Sequence, residues 1–300
     1  MIEQVIADLF VPQCIHPYLK DLRHSYLKKK LMKFSKFSVN ELEDVIVKDL
    51  GVTTGSVVFV HSSLDGLNIN FIGFKILYIL LKIVGPSGTL LFPSSHLIGR
   101  AIYPLKKGVN FDIKRSPTKM GVLPEFARRH KDAYRSLHPT NSVVAIGKYS
   151  KELVSSHSES IHPCDRKSPY YMMLKYNPII IGLGVSTSIL TFVHCVEDVL
   201  GNEFPVQIRT NKVLKCRVYD YDGTERVIET TTTNWRHPWG NNVKFINKYI
   251  SNEIAHDFTV KGVKFFMAKG ALLYSEMEHL ARNGITRFPK MIYRKVLDKY

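Results

Sequence analysis

The order of the apolar segments in the first third of the chain constrains its fold more than any other feature. Residues 56–62 and 89–94 are rich in β-branched and aromatic side chains, which predicts two buried strands. Residues 69–84 between them form an apolar run of 16 residues that Gly85-Pro86 ends, and we predict a mostly buried helix there. A strand, a helix and a strand in this order form a βαβ unit, which indicates an α/β domain.

The rest of the pattern predicts further elements of the same class. Ser38-Val-Asn-Glu41 has the spacing of a capping box and predicts a helix over residues 38–50. Alternating polar and apolar residues on both sides of Asp222-Gly223 predict a β-hairpin. The other predicted elements are strands over residues 142–148 and 178–184 and helices over residues 121–130, 189–200 and 272–282. No repeat or linker interrupts this pattern, so we expect a single domain over residues 38–300.

Residues 1–37 differ in character from the rest, and we interpret them as a basic N-terminal arm. Seven lysines and arginines between Lys20 and Lys36 are interleaved with apolar and aromatic residues. A segment of this type can bind an anionic membrane or nucleic acid. It can also pack on its own domain or on a partner subunit with its lysines in solvent, and we favour this second interpretation.

The charge and the cysteines of the chain restrict its class. Lys and Arg exceed Asp and Glu by 16 and the pI is about 9.6, which favours anionic partners. The four cysteines form no CxxC pair, which argues against a disulfide framework and a structural zinc site. The N-terminus lacks the pattern of a secretory signal, and no apolar run reaches the roughly 20 residues that a membrane-spanning helix needs. We therefore expect a cytoplasmic protein without a membrane span and without a metal.

Signatures of several common enzyme classes are absent. The chain contains no GxxxxGK(S/T) phosphate-binding loop, no GxGxxG after a strand and no HExxH. Gly182-Leu-Gly184-Val-Ser186 has the order GxGxS and not the GxSxG of a nucleophile elbow. These absences argue against a kinase, a dinucleotide-dependent oxidoreductase, an α/β-hydrolase and a zincin, and no RNA-binding consensus strand occurs either.

The most informative chemistry lies on the helix predicted over residues 189–200. His194 and Glu197 are three residues apart, so both project from one helix face, and Thr191 lies on the same stripe. A carboxylate beside an imidazole fixes its tautomer and raises its basicity, which suits a general base. The same spacing occurs in ordinary surface ion pairs, so this motif alone leaves a catalytic and a structural role open.

Two further segments carry candidate ligand-binding residues. His61-Ser62-Ser63 ends the first buried strand, where small hydroxylated residues suit a phosphate or a pantetheine chain or simply form a turn. His138-Pro139 follows a basic run that includes Arg128 and Arg135 and that faces either phosphates or water.

Taken together, these segments resemble a known family. In order, the chain carries VFVHSSL (58–64), GTLLFPS (88–94), SPTKMGVLPEFARR (116–129), RSLHPTNSVVAIG (135–147), SP (168–169), GLG (182–184), TFVHCVE (191–197) and KGALL (269–273). This succession resembles the aminoglycoside 3-N-acetyltransferases, a family unrelated to the GNAT fold. The resemblance extends from about residue 38 to about residue 285. Leu190 stands where the antibiotic-modifying members carry Asn, and Lys167 stands where many members carry Asp before Ser-Pro.

The resemblance implies a three-layer α/β/α domain around a mixed sheet that uses acetyl-CoA, and no metal, to acetylate an amine. It implies the following roles: catalysis for His194, Glu197 and Thr191, acceptor binding for His138, and acetyl-CoA binding for His61, Ser62, Ser63, Met120 and Gly121. Asp165, two residues before the position of the family's Asp, is a further candidate for acceptor binding because its carboxylate can form part of an acidic pocket. We expect His194 to remove a proton from the acceptor's ammonium while Glu197 holds its ring. Thr191 or nearby backbone N–H groups would stabilise the oxyanion.

The choice of acceptor depends on the charge argument. Aminoglycosides are polycations, whereas a nucleotide-linked amino sugar carries a diphosphate that a protein of net charge +16 attracts. We therefore expect a nucleotide-linked amino sugar in surface-polysaccharide biosynthesis, with an aminoglycoside, and hence antibiotic resistance, as the alternative. An inactive family member that binds nucleic acid or a membrane surface is a further alternative. For the active enzyme we expect no nucleic-acid partner and a monomer or a homodimer.

Overall fold

The structure is a computed structural model that describes residues 25–97, 101–234 and 240–289. The strands are β1 Val57–Ser62, β2 Thr89–Pro93, β3 Phe111–Asp112, β4 Ala133–Arg135, β5 Val143–Gly147, β6 Ile179–Leu183, β7 Leu214–Tyr219, β8 Glu225–Thr230, β9 Ala255–Val260 and β10 Val263–Lys269. Residues 25–31 are helical. The α-helices that follow them in the described chain are α1 Val39–Asp44, α2 Lys75–Val84, α3 Ile102–Lys106, α4 Val122–Arg128, α5 Ser150–Ser155, α6 Pro169–Met172, α7 Val193–Leu200, α8 Asn242–Tyr249 and α9 Gly270–Arg282.

Seven strands form one mixed sheet in the order β4-β5-β2-β1-β6-β10-β9. The central strand β1 is parallel to both β2 and β6, while the outer strands pair in antiparallel fashion. The parallel pair β1 and β2 joined by α2 confirms the predicted βαβ unit. Since β1 and β6 run in the same direction, their carboxyl ends meet at one edge of the sheet, where Ser62 lies opposite Leu183.

Both faces of this sheet are buried under helices. Along β1, Val57 and Phe59 belong to one apolar core and Val58 and Val60 to the other, as the two-residue period of a strand requires. Side chains of α5 to α9 fill the first core, and side chains of α1, α2 and α4 fill the second. The layers therefore stack as helix, sheet and helix, which confirms the α/β/α architecture.

The hairpin predicted around Asp222-Gly223 forms, but it lies outside the main sheet. β7 and β8 pair in antiparallel fashion, and β3 joins β7 to complete a separate three-stranded sheet. Gly223 has a φ of +85°, a backbone conformation that glycine adopts without strain. This small sheet has its own apolar cluster, which includes Phe111 and Val218.

The helix predicted over residues 38–50 begins as its sequence indicates. The Glu41 backbone N–H donates to the Ser38 hydroxyl, and the Ser38 backbone N–H donates to the Glu41 carboxylate, so the capping box is complete. After Asp44 the backbone widens into a π-helical turn, Val45–Asp49. The predicted element is thus one α-helical segment followed by one π-helical segment.

Two helices are shorter than their apolar patterns predict. The helix predicted over residues 69–84 begins only at Lys75, because Ile69 forms a bridge with Phe37 and therefore belongs to an extended segment. Tyr78 on this helix is 56% exposed, so the expectation of a mostly buried helix was wrong for its outer face. The helix predicted over residues 189–200 is divided, because a 3₁₀ turn, Thr187–Ile189, precedes α7.

Sequence reasoning missed the hairpin of β9 and β10, which completes one side of the sheet. Its two-residue turn, Lys261-Gly262, has positive φ angles of +48° and +75°. Such turns usually carry Asn-Gly or Asp-Gly, so a lysine in the first position gave no signal. The missed hairpin matters for the site, because β9 carries Asp257.

The end of the basic arm packs on the domain. Residues 25–31 are helical, and Leu31 and Phe37 are buried in the core beside α1 and α2. Lys20 and Arg23 of the same basic segment lie outside the described residues. Among the described helices, none is long and apolar enough to cross a membrane.

Candidate active site

The start of α7 lies at the carboxyl edge of the sheet because the chain turns sharply after β6. Gly184, the first residue after β6, has a φ of +73° and packs directly on the backbone of Gly66. A Cβ on Gly66 would lie 2.1 Å from the Gly184 carbonyl oxygen, so this close approach requires glycine. The 3₁₀ turn Thr187–Ile189 then leads into α7.

His194 and Glu197 form a hydrogen-bonded pair on one face of α7, as their spacing predicts. His194 Nδ1 lies 2.7 Å from Glu197 Oε2. The His194 side chain is 28% exposed, whereas the Glu197 side chain is 1% exposed. A buried carboxylate at Nδ1 favours the tautomer that carries its hydrogen there, which leaves the Nε2 lone pair free to accept a proton.

The second oxygen of Glu197 is bound by an arginine from the C-terminal part of the chain. Arg287 Nε lies 2.6 Å from Glu197 Oε1. Burial alone would raise the pKa of the Glu197 carboxyl, but Arg287 and His194 outweigh it and lower this pKa to about 2. Glu197 is therefore an anion at neutral pH, and it lies between two basic side chains.

Two residues from neighbouring elements hold the turn that precedes α7. The Asp257 carboxylate accepts hydrogen bonds from the Thr187 backbone N–H and hydroxyl, both at 2.7 Å. The Asn242 side-chain amide donates to the carbonyl oxygens of Thr187 and Leu190, both at 3.3 Å. Since β9 and α8 fix this turn from two sides, the position of His194 at the sheet edge is also fixed.

Thr191 lies one turn before His194, with its hydroxyl oriented into the protein. Thr191 Oγ1 is buried and makes no hydrogen bond of good geometry within the described part of the chain, although it lies beside the Tyr170 phenol. Burial raises the pKa of this phenol, so Tyr170 stays neutral. The predicted contact of Thr191 with the reacting thioester stays a prediction.

Cys195 does not belong to this reactive face. Its side chain is buried in the main core, and burial raises the pKa of its thiol well above the ordinary value. A neutral buried thiol is a poor nucleophile. The arrangement therefore favours direct transfer over a covalent intermediate on this cysteine.

The structure brings the candidate acetyl-CoA residues together at the end of β1. His61 lies on the same face of the sheet as Phe59, which is the α7 face, and its buried Nε2 has no hydrogen-bond partner within the described residues. Burial lowers the pKa of His61 to about 3, so the ring is neutral. Ser62 and Ser63 are partly exposed at the strand end, and Gly121 lies against the Ser62 carbonyl oxygen.

Met120 and Gly121 reach this edge as the residues directly before α4. The Met120 backbone N–H donates to the Thr118 hydroxyl at 3.1 Å, which fixes the approach to the helix. Gly121 has a φ of +114° and is exposed. Two segments distant in sequence thus border one part of the sheet edge.

The two candidate acceptor residues lie in a different environment. His138 is fully buried and stacks on His157 with the ring centroids 4.4 Å apart. Asp165 accepts a hydrogen bond from the Ser160 hydroxyl at 2.6 Å and lies in the loop before α6. The side chain of His138 is therefore part of the interior, and its contact with an acceptor stays a prediction.

A second buried ion pair supports the loop next to α7. Arg209 binds Asp198 through Nε and Nη2, both at 2.6 Å, and the other contact of this carboxylate is the Cys164 backbone N–H at 2.8 Å. The Asp198 side chain is fully buried. Since Arg209 takes both oxygens, Asp198 is a structural residue and does not face the acceptor.

Replacing Asp198 by alanine leaves the Arg209 guanidinium buried without its carboxylate. We expect Asp198→Ala to lower the free energy of unfolding by about 3–5 kcal/mol, the usual cost of breaking a buried ion pair. Urea unfolding followed by circular dichroism measures this. The exposed pair of Glu203 with Arg282 is the matched control, and Glu203→Ala should cost less than about 1 kcal/mol. Equal effects of the two substitutions would contradict the structural role of Asp198.

Three residues of the site carried no signal in the sequence. Arg287 follows the last helix in a segment without a motif, and 90 residues separate it from Glu197. Asn242 and Asp257 lie in elements that sequence reasoning left without a role. Within residues 25–97, 101–234 and 240–289, no group of three His, Cys, Asp or Glu side chains is arranged to hold a metal ion.

Comparisons with known proteins show which family the chain belongs to. The family model described as aminoglycoside 3-N-acetyltransferase matches residues 59–280. The chain belongs to this family, which confirms the resemblance seen in its motifs and the expectation of an acetyl-CoA-dependent acyltransferase. Aminoglycoside N(3)-acetyltransferase IX of Micromonospora chalcea is 26% identical over 209 residues, which are 61% of this chain and 73% of that protein. Aminoglycoside N(3)-acetyltransferase III of Acinetobacter baumannii is 28% identical over 199 residues, 59% of this chain and 68% of that protein.

Solved structures share the fold. Aminoglycoside acetyltransferase AAC(3)-Xa superposes with a TM-score of 0.72 at 18% identity, covering 89% of this chain and 99% of its own. AAC-IIIb, solved as a binary complex with CoASH, gives 0.69 at 17% identity, with 84% of this chain and 98% of its own covered. AAC-VIa bound to sisomicin superposes with a TM-score of 0.67 at 21% identity, and the superposition covers 84% of this chain and 100% of that one. At these identities the likeness shows the fold alone.

These findings correct the predicted acceptor. The relatives are aminoglycoside 3-N-acetyltransferases, so the expectation of a nucleotide-linked amino sugar in surface-polysaccharide biosynthesis was wrong, and the aminoglycoside alternative is the better one. The physical reason is that a net charge of +16 sums the whole surface. It reports the long-range field and not the local charge of one pocket.

Proposed function

We propose that this protein transfers the acetyl group of acetyl-CoA to the 3-amino group of an aminoglycoside, with His194 as the general base. The observation that carries the proposal is the partly exposed imidazole held through Nδ1 by a buried, ionised carboxylate. The activity and the acceptor class are those of the relatives, and an antibiotic-resistance function follows from them.

The proton path follows from the geometry of His194. An aminoglycoside amine is an ammonium at neutral pH and has no lone pair for attack. His194 Nε2 accepts its proton, and Glu197 stabilises the resulting imidazolium across the 2.7 Å contact. The attacking nitrogen loses a second proton as the amide forms. His194 gives one proton to the departing thiolate and one proton leaves to solvent, so the enzyme ends the cycle unchanged. The bond that breaks is the thioester C–S bond, and the bond that forms is the amide C–N bond.

The residues around the carboxyl edge fit acetyl-CoA as a co-substrate. A thioester supplies an activated acetyl group, so the protein itself needs no covalent step. His61 Nε2 is a buried polar atom without a partner among the described residues, and Thr191 Oγ1 is a buried hydroxyl beside the Tyr170 phenol. We propose that Thr191 donates to the negative charge that develops on the thioester oxygen. His61, Ser62, Ser63, Met120 and Gly121 would bind the remainder, in keeping with the relative solved with CoASH.

The extent of the catalytic unit and its acceptor contacts are part of the same proposal. We infer one acetyltransferase domain over residues 38–300 that is preceded by the basic arm, and a monomer or a homodimer. Asp165, in the loop before α6, is the proposed carboxylate for an acceptor ammonium. His138 would act from the interior by supporting the loop around Ser160.

A thiol-release assay tests this function. The purified chain is mixed with acetyl-CoA and with sisomicin or gentamicin, and CoA is detected with a thiol reagent. We expect release that depends on the acceptor, together with a product that carries one acetyl group on the 3-amino nitrogen by NMR. Omission of the acceptor is the control for hydrolysis. Release that is equal with and without every aminoglycoside would refute the proposed function.

A further inference from the structure

Arg287 reaches the catalytic pair from a part of the chain that the motifs do not cover. It lies after α9, and its Nε contacts Glu197 Oε1 at 2.6 Å. The Arg287 side chain is 8% exposed, and Glu197 is 1% exposed. A cation and an anion buried this deeply against each other are a specific contact and not a mobile surface pair.

Three further contacts fix Arg287 in this position. Its Nη1 donates to Asn242 Oδ1 at 3.2 Å, and its backbone carbonyl accepts from the Asn241 N–H at 3.0 Å. Gly240 lies so close that a Cβ there would be 2.6 Å from Arg287 Cγ. Asn242 also donates to the turn before α7. One hydrogen-bond network therefore joins Arg287 both to Glu197 and to the turn that positions His194.

We propose that Arg287 is a positioning residue that orients the Glu197 carboxylate and keeps it charged for His194. This inference rests on the proposed function, because it assigns a role within the same reaction. Arg287 occupies Oε1, so Oε2 is the oxygen that faces His194 Nδ1. The segment after α9 thereby acts on the reaction through Glu197, against which the Arg287 side chain is buried.

The charge of Arg287 also sets how firmly the pair holds its proton. When His194 is neutral, Arg287 is the remaining cation beside the buried Glu197 carboxylate. Without that cation, release of the proton from His194 would leave a buried anion unpaired, so the pair would bind the proton more tightly. The acidic limb of the pH profile would then move to higher pH.

Other ionisable groups around α7 do not replace Arg287. Around Glu197 and its neighbours lie Asp198 and Arg209, which bind each other, and the thiols of Cys164 and Cys195. The other ionisable groups there are Tyr274 and Glu278 from α9 and Asp165 and Arg166 from the loop before α6. Burial raises the pKa of both thiols and of Tyr274, so these three groups stay neutral. Arg209 is bound through Nε and Nη2 to Asp198, Arg282 binds Glu278, and Arg166 donates to the Tyr171 hydroxyl.

The test compares Arg287→Gln, Arg287→Lys and the wild type. For Arg287→Gln we expect the acidic limb of kcat/KM to rise by about one pH unit or more. The midpoint at which the His194–Glu197 pair releases its proton, followed by NMR, should rise by the same amount. We also expect kcat at pH 7 to fall at least about tenfold, with the KM for acetyl-CoA nearly unchanged, because the Arg287 side chain is buried against Glu197. Arg287→Lys keeps the positive charge, so the acidic limb of its pH profile should remain near that of the wild type. Its kcat should fall, because lysine does not orient the Glu197 carboxylate as arginine does.

The matched control is Arg282→Gln, which removes an exposed arginine of the same region that binds Glu203 and Glu278. Arg282→Gln should change neither the acidic limb of the pH profile nor kcat. An unchanged titration midpoint of the His194–Glu197 pair in Arg287→Gln would overturn the inference while leaving the proposed function intact. A shifted midpoint in a chain that shows no acetyl transfer would instead refute the function and keep the role in the pair. If Arg287→Gln does not fold, a wild-type kcat in Arg287→Lys would overturn the orientation role.

Discussion

Replacement of His194 by alanine is expected to lower kcat by about 10²–10⁴-fold, the usual contribution of general-base catalysis. The fold should survive, because His194 is partly exposed and Glu197 keeps its second partner, Arg287. The loss should therefore appear in turnover and not in the binding of acetyl-CoA. Steady-state kinetics, together with calorimetric titration of acetyl-CoA, separate these two effects.

The pH dependence of this variant makes the test specific for a base. In His194→Ala the acceptor must lose its proton to solvent, so activity should increase with pH beyond the plateau of the wild type, as more of the acceptor is a free amine. Added imidazole should restore part of the rate at neutral pH. His279→Ala, which changes an exposed histidine of α9, should behave like the wild type. Retention of kcat within about tenfold would remove His194 from this role.

The local parts of this site were predictable because their residues are near neighbours in the sequence. His194 and Glu197 are three residues apart, and the helical period alone places them on one face. The βαβ unit and the capping box at Ser38 followed from equally local patterns. Such features depend on a few consecutive residues, and the structure has them where the sequence predicts them.

The remaining parts depend on contacts between distant segments. Arg287 meets Glu197 across 90 residues, and Asp257 meets Thr187 across 70. Neither hydrophobic periodicity nor secondary-structure propensity indicates these contacts, because they depend on how the chain brings its strands and helices together. The hairpin that carries Asp257 was itself missed, since its turn begins with Lys261.

The error about the acceptor has a similar origin. Net charge is a property of composition, whereas acceptor choice depends on where carboxylates remain free. In the structure Glu197 and Asp198 are both paired with arginines, and Glu125 binds Arg128 and Arg129. These carboxylates are neutralised in ion pairs within the protein, so the total charge does not describe the charge that a ligand meets.

Four buried histidines should make the folded state sensitive to mild acid. Burial is the largest cause that lowers the pKa of His61 to about 3 and that of His96 and His157 to about 4. Burial, together with the neighbouring His157, lowers the pKa of His138 well below its ordinary value. The unfolded chain protonates these rings near pH 6.5, whereas the folded chain does not.

The sign follows from this difference in proton binding. Below pH 6.5 the unfolded state binds more protons, so the free energy of unfolding falls with pH until the folded pKa is reached. At pH 5 each ring should have lowered the free energy of unfolding by roughly 2 kcal/mol relative to neutral pH. The four decreases together approach the total stability of an ordinary domain. The carboxyls of Glu41, Glu125 and Glu197 add little here, because the pKa of each is lowered to about 2 and they lose their contribution only in stronger acid.

Urea unfolding between pH 7.5 and 5 tests this prediction directly. The slope of the free energy against pH should approach the uptake of about three to four protons near pH 5.5. His61→Phe keeps an aromatic ring against Phe59 and Phe266 but cannot titrate, so its slope should fall by about one proton. His279→Gln is the control, because an exposed ring meets solvent in both states. A wild-type slope below about one proton would mean that these rings are protonated in the folded protein. That result would contradict the assignment of His61 as a buried neutral ring.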